Sequence, residues 1–286
     1  MRILTFDIED WFHILDLPLV EDPATWDGYE SRIEAGLQRI LDLLEQEGTS
    51  ATFFVLGWIA ERYPHLVRRI AERGFEIGSH SYHHSLIYKM DPESFRRDLL
   101  RSTAVLSDLT GQAVRLYRAP GFSVTPACAW ALEVMVESGI EVDCSLFAAP
   151  RRHGGFEELK ASEPFRVDVG GSLLKELPMS FVEVLGKPVV YSGGGYFRLI
   201  PSFITQSLAQ RQEYVMTYFH PRDFDPKQPR LPMGAFRKWQ TYVGLSKAHD
   251  KLQSLIRTVP FTDIKQAETQ IDWDTTPIFS ATPYLS

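Results

Sequence analysis

The stretch Phe75-Glu76-Ile77-Gly78-Ser79-His80-Ser81-Tyr82-His83-His84 reads as a short strand running directly into a histidine cluster. His80 and His84 are four residues apart, so one helical turn or tight loop brings both imidazoles to one cation. The chain opens on another such strand, Arg2-Ile3-Leu4-Thr5-Phe6, which ends in Asp7-Ile8-Glu9-Asp10. Two imidazoles and one carboxylate from separate strand ends make a three-point site with positions open for water. That is the donor set of a catalytic zinc-type centre rather than a closed structural one.

Working outward, strand and helix signals alternate. Ser31-Arg32-Ile33-Glu34 reads as a capping box opening a helical stripe through Ile33, Leu37, Ile40, Leu41 and Leu44 that stops at Gly48. Ala51 to Leu56 reads as a buried strand, Trp58 and Pro64 to Gly74 as helical, and Asp91-Pro92 as the start of a helix reaching Gly111. Val114 to Tyr117 and Ile140 to Asp143 read as strands on either side of a helix that Thr125-Pro126 opens. Beyond Ser145 the rhythm loosens. Arg151 to Pro164 reads as an irregular loop, Leu173 to Phe197 as short strands around a tight turn at Gly193-Gly194-Gly195, and Pro201 to Arg211 as helix. Tyr214 to Phe219 reads as a buried strand, Gly244 to Arg257 as the last helix and Pro260 to Ile264 as a final strand. Repeated strand–helix units imply parallel strands with crossover helices, and a (β/α) barrel is the expected closure. The expected organisation is one domain over residues 1–270, elaborated in its second half, with a tail over 271–286.

Composition narrows the function classes. A chain of 286 residues with 44% hydrophobic content can bury a sizeable core. A net charge of -7 without long runs of like charge argues against nucleic-acid binding. Cys128 and Cys144 lack metal-motif or disulfide-framework spacing, and no segment approaches the ~20 apolar residues of a membrane span. With no leader-like N-terminus, the expectation is a soluble, cytoplasmic protein.

Asp7, His80, Arg118, Asp143 and His220 all fall at or just past the C-terminal ends of expected strands, the rim where α/β folds bind ligands. Asp7 and Glu9 share one face if the strand persists. Asp7 suits a general base and Glu9 a metal ligand, with Asp10 as the alternative ligand or a cap for the next turn. His83 would compete with His84 and is the weaker candidate. Arg118 beside the acids would keep Asp7 ionised and oriented. His220, delivered by Val215-Met216-Thr217-Tyr218-Phe219, is a histidine that can protonate a leaving amine. The glycine run followed by Tyr196, Phe197 and Arg198 would alternatively approach a ligand closely. Trp26, Trp58 and Phe147 are expected in the core. Trp11 is the aromatic nearest the acids.

Thr5-Phe6-Asp7, His80-Ser81-x-x-His84, Arg118-x-Pro120 and the late His220 resemble, in order and spacing, the successive motifs of the polysaccharide deacetylase family, the family 4 carbohydrate esterases. The resemblance runs from residue 1 to about 225. Gly193 to Arg198, and His220-Pro221-Arg222-Asp223-Phe224-Asp225-Pro226 through Phe261, further resemble a bacterial branch associated with surface polysaccharide and exopolysaccharide production. The resemblance implies a distorted, incomplete (β/α) barrel that removes N-acetyl groups from an amino-sugar glycan or its precursor. It implies one divalent metal, zinc first among first-row ions, held by an acid with His80 and His84. It also implies Asp7 as base, Arg118 as its partner and His220 as acid, and in the mechanism that follows a backbone N–H near Gly121 would meet the oxyanion. This chain departs from the family where Asp-Ile-Glu-Asp replaces adjacent aspartates and Gly121 replaces an aromatic. The fourth motif's tryptophan is missing, and Asp143 with Phe147 is the nearest stand-in. Two rivals stand beside this reading: a metal-dependent hydrolase of another small amide, such as a ureide or formamide, and a noncatalytic carbohydrate-binding member.

Overall fold

In the computed structural model, which describes every residue except 150, 151, 157, 160 and 286, the chain forms two units. One comprises Met1–Ala51 with Phe181–Asp263, and the other Thr52–Ser180 with Ile264–Ser286.

In the first unit the opening strand divides at Leu4 into Arg2–Ile3 and Thr5–Ile8, every residue of the latter buried. Arg2–Ile3 pairs in parallel with Val215–Met216. The same register continues as Asp7 N–H donates to Phe219 O at 2.7 Å and Phe219 N–H to Thr5 O at 3.2 Å. A parallel pair staggers its partners evenly, so this register sets Asp7 and His220 at the ends of neighbouring strands. The helix Ile33–Glu47 buries Ile33, Leu37, Ile40, Leu41 and Leu44 and ends at Gly48 with φ 59°. It packs on the turn Pro221–Phe224, where a Cβ on Gly36 would lie 2.8 Å from Pro221 Cβ, so only glycine permits the contact.

The expected capping box does not form. Ser31 donates to Asp10 instead, and the cap of this helix is Arg32, whose N–H also donates to the Asp10 carboxylate. The glycine run is likewise not a hairpin turn. Gly193 caps the helix Gly194–Leu199, and it is glycine because a Cβ there would lie 2.1 Å from Tyr218 O. The helix Ala235–Tyr242 has no counterpart in the sequence reading. Of the strand expected at Pro260 to Ile264, the structure retains a bridge from Thr262 to Ile3.

The second unit holds a sheet in the order Ile278–Ser280, Phe165–Val169, Ser172–Glu176, Val142–Asp143, Leu116–Tyr117, Glu76–Ser79, Thr52–Val55. Its pairs are parallel except the hairpin Phe165–Val169 with Ser172–Glu176. Apolar strand residues such as Tyr117, Phe165 and Val167 pack with Phe95, Leu99, Leu132 and Met135 from the helices Pro92–Thr110 and Trp130–Glu137. Asp91 caps the former through Ser94 N–H at 2.7 Å, as read. Residues 271–286 are not a plain tail: Ile278–Ser280 adds to the sheet beside Phe165–Val169. Part of the expected loop at Arg151 to Pro164 lies outside the described residues.

Candidate active-site residues

In the first unit Asp7, Glu9 and His220 come together. Each is less than 8% exposed, and their donor atoms lie within 4.8 Å of one another. His220 Nε2 is 4.0 Å from Asp7 Oδ2 and 3.7 Å from Glu9 Oε1. Its Nδ1 lies 2.8 Å from Asp223 Oδ2, which also accepts the His220 backbone N–H at 3.0 Å. A carboxylate there accepts a proton from Nδ1, so Nε2 is the nitrogen turned toward Asp7 and Glu9. Asp223 was not singled out from the sequence, although an acid three residues after His220, on a turn begun by Pro221, is a capping signal.

Asp10 has a different task. Its carboxylate accepts from Trp11 N–H at 2.8 Å, from Arg32 N–H at 3.1 and 3.2 Å and from the Ser31 hydroxyl. Burial raises its carboxyl above the ordinary value, and these bonds oppose the shift. Trp11 is buried, edge-on to Phe12 and Tyr29, with Nε1 donating to Glu30 O at 3.0 Å; it belongs to the core. Tyr196, on the helix Gly194–Leu199, is 47% exposed.

In the second unit the strand Glu76–Ser79 delivers His80, whose N–H donates to Val55 O at 3.0 Å. His80 Nδ1 lies 2.8 Å from Arg118 O, a carbonyl that can only accept, so Nδ1 carries the proton and Nε2 offers a lone pair. The His84 ring centroid is 5.3 Å from that of His80. Ser81 and His84 both take positive φ, 68° and 56°, which is costly for residues with a Cβ. The turn is held by His84 N–H donating to Ser81 Oγ at 3.0 Å and by Asp98, which accepts Tyr82 N–H at 2.7 Å and His83 N–H at 3.0 Å. Asp98 is buried, and burial raises its carboxyl while those two N–H groups lower it. It comes from a helix fifteen residues away, beyond any local sequence signal. His83 Nδ1 is 3.7 Å from Asp98, with the side chain 40% exposed. Arg118 is fully buried, its guanidinium 4.2 Å from the Phe54 ring centroid and 5.7 Å from that of Phe122. Gly121 sits just beyond it, at φ 61°.

Asp143 ends the strand Val142–Asp143, paired with Leu116–Tyr117 so that it stands opposite Tyr117. Ser145 Oγ donates to the Asp143 carboxylate and accepts from Ala119 N–H at 2.7 Å, which fixes the chain just past Arg118. Asp143 and Glu176 are fully buried. Burial pushes Asp143 up to about 6, and burial together with the Asp143 charge pushes Glu176 well above the carboxylate range. The pair therefore holds its protons to higher pH than free carboxylates do. Both acids bind protons more tightly folded than unfolded. Their contribution to stability is full below about pH 4 and is lost as pH rises through about 6 and beyond, by about 3 kcal/mol for the Asp143 shift alone. Glu176→Gln supplies the donor without the titratable proton. Thermal unfolding from pH 4 to 8 should show melting temperature falling with pH in the parent chain and much less in this variant. Equal slopes would exclude a raised Glu176 carboxyl as the source of the pH dependence.

Comparison with known proteins adds to this geometry. Residues 24–141 match the polysaccharide deacetylase family, and residues 144–268 match a domain of unknown function, DUF3473. A peptidoglycan-N-acetylglucosamine deacetylase of Bacillus cereus is 38% identical over 96 residues, 33% of this chain and 35% of that protein. A peptidoglycan deacetylase of Helicobacter pylori is 30% identical over 142 residues, 50% of this chain and 44% of that protein. The chain thus spans less than half the length of these curated relatives. A crystal structure of a Mycobacterium smegmatis protein assigned as a polysaccharide deacetylase superposes with a TM-score of 0.64 at 21% identity, covering 94% of this chain and 89% of that one. That likeness is one of fold, and the α/β fold is the one the motifs imply. With the motif residues on their expected strand ends, residues 24–141 are the part of the chain that matches the polysaccharide deacetylase family.

Proposed function

We propose that this protein is a metal-dependent carbohydrate N-deacetylase acting on amino sugars of a surface polysaccharide or its precursor. The observation that carries the reading is the pairing of Asp7 with His220. An acid and an imidazole, both buried, face each other at 4.0 Å, and the far side of the imidazole is held by Asp223. That is the equipment for hydrolysing an amide, where one group removes a proton from water and another delivers one to the departing amine.

Glu9, His80 and His84 are the proposed ligands of one divalent ion, with zinc the first expectation. The donors suit such an ion: all three are buried, and the His80 tautomer leaves Nε2 as a ligand atom. When bound, a divalent ion supplies Lewis acidity, polarising the amide carbonyl and raising the acidity of water. Asp7 accepts the proton of the attacking water, and Arg118 is the proposed partner that orients it. The N–H near Gly121 donates to the developing oxyanion, and His220 passes its Nε2 proton to the amine nitrogen. Acetate and a free amino sugar leave. Tyr196 is proposed to lie against the sugar. The polysaccharide class rests on the resemblance of Gly193–Arg198 and His220–Pro226 to the surface-polysaccharide branch. A cytoplasmic site of action belongs to the same proposal, supported by Cys128 and Cys144 being buried free thiols. Among the described residues no helix is long and apolar enough to cross a membrane.

The direct test is acetate release from N-acetylated oligosaccharides, with ureides and formylated amines as the contrast, beside elemental analysis of the purified protein. Acetate release with about one divalent ion per chain is the expected result. Hydrolysis of the small amides alone would replace the sugar reading, and release from neither would remove the enzymatic one. The carboxylate ligand has its own test. Glu9→Gln should weaken metal binding by ~10-fold or more at a near-parental melting temperature. Asp10→Asn should cost about 1–2 kcal/mol of stability, because it weakens the bonds at the start of the helix Ile33–Glu47, and should leave metal binding near parental. Calorimetric titration and thermal unfolding read the two effects, and the reverse ranking would make Asp10 the ligand.

A further inference from the structure

One buried cation in the first unit serves none of the roles above. The side chain of Arg198, on the helix Gly194–Leu199, is 5% exposed, and its guanidinium is nearly saturated. Nη1 donates to Asp223 Oδ1, Nη2 to Thr241 O at 2.8 Å and Gln240 O at 3.2 Å, and Nε to Val243 O at 3.0 Å. The three carbonyls belong to the C-terminal end of the helix Ala235–Tyr242 and the residue after it, groups a helix leaves without internal partners. The carboxylate is the one whose other oxygen holds His220 Nδ1. A chain of direct contacts therefore runs from that helix end through Arg198 and Asp223 to the imidazole that faces Asp7 and Glu9.

We infer that Arg198 is a positioning residue for His220: it orients the Asp223 carboxylate that aims the imidazole, and it anchors that carboxylate to the end of the helix Ala235–Tyr242. The inference rests on the proposed role of His220 as general acid. Asp223 lies on the single turn Pro221–Phe224, where the one bond from His220 N–H to Oδ2 still leaves the carboxylate plane free to rotate about χ2. The planar fork of an arginine removes that freedom by engaging the carboxylate with one arm and backbone carbonyls with the other. An ammonium group is a point donor on a flexible stem and cannot hold both. The arginine is itself held in place. Lys251 Nζ donates to Phe197 O and Ile200 O on either side of it, and a Cβ on Gly244 would lie 2.8 Å from Arg198 O.

The test uses Arg198→Lys, which keeps the buried charge, in the parent chain and in a His220→Ala background. Steady-state acetate release is measured beside the NMR signal of the His220 Nδ1 proton. In the parent background Arg198→Lys should lower kcat ~10–100-fold with KM within about two-fold, while metal content and melting temperature stay near parental. In the His220→Ala background the same change should cost nothing further, because its route of action is already gone. The His220 Nδ1 proton, sharp and downfield in the parent as expected of a hydrogen bond to a carboxylate, should broaden or vanish in Arg198→Lys. Arg198→Ala should regain kcat with added methylguanidinium and not with methylammonium. An unchanged Nδ1 signal with unchanged kcat, or an equal loss in both backgrounds, would overturn the inference. If the parent releases no acetate yet loses its Nδ1 signal on Arg198→Lys, the functional reading fails and the positioning role stands.

Discussion

Asp7→Asn and His220→Ala should each lower acetate release by ~10²–10⁴-fold, about 3–5 kcal/mol of transition-state stabilisation, with metal occupancy unchanged. Asparagine fills the space of Asp7 but cannot take a proton, so the loss reports proton removal rather than a collapse of the strand end. Asp7 N–H donates to Phe219 O whatever the side chain, which keeps the neighbouring strands in register. His220→Ala removes the imidazole that stands with Asp7 and Glu9 while leaving the Pro221–Phe224 turn its bond from Asp223 N–H to residue 220 O at 2.9 Å. The pH profile separates the two roles. Activity should fall at low pH as the base is protonated and at high pH as the acid loses its proton, and His220→Ala should flatten the alkaline limb selectively. An unchanged alkaline limb would place the general acid elsewhere. Loss of metal from His220→Ala would instead make Asp7, Glu9 and His220 the ligands, a set whose donor atoms lie within 4.8 Å of one another.

Replacing His80 and His84 together by alanine should abolish metal binding and lower acetate release by ~10³-fold or more, because several kcal/mol of Lewis-acid stabilisation disappears with the ion. The fold should persist. The turn after Ser79 is held by bonds that do not use the imidazoles: His84 N–H to Ser81 Oγ, and Tyr82 and His83 N–H to Asp98. Asp98→Ala supplies the contrast. It strips two N–H groups of their acceptor beside residues at positive φ, so it should lower the melting temperature as well as metal affinity. A double histidine variant that retained its full metal content would remove His80 and His84 as ligands.

What the sequence determined by itself was local. The alternation of apolar strands and amphipathic helices, the stops at Gly48, Gly111 and Gly139, and the histidine spacing are all written within a few residues, where periodicity and capping act. Reading Asp7, His80, Arg118 and His220 as strand-end residues therefore needed no knowledge of which strand lies beside which. The capping box at Ser31 shows the limit of such reading. The local pattern was right for a helix start, but the serine hydroxyl found Asp10, twenty-one residues earlier in the chain. The helix Ala235–Tyr242 escaped for a related reason: its apolar residues Phe236 and Trp239 are 70% and 50% exposed, so no buried stripe announces it. Tertiary structure alone decided which groups hold the reactive ones. Asp98 reaches the histidine turn from a helix, Glu176 stands beside Asp143 on the neighbouring strand, and Arg198 reaches Asp223 across twenty-five residues. These partners exist because burying a charged or polar group without one is costly. The fold must bring a complement from wherever the chain passes nearby, and spacing along the sequence carries no record of that proximity.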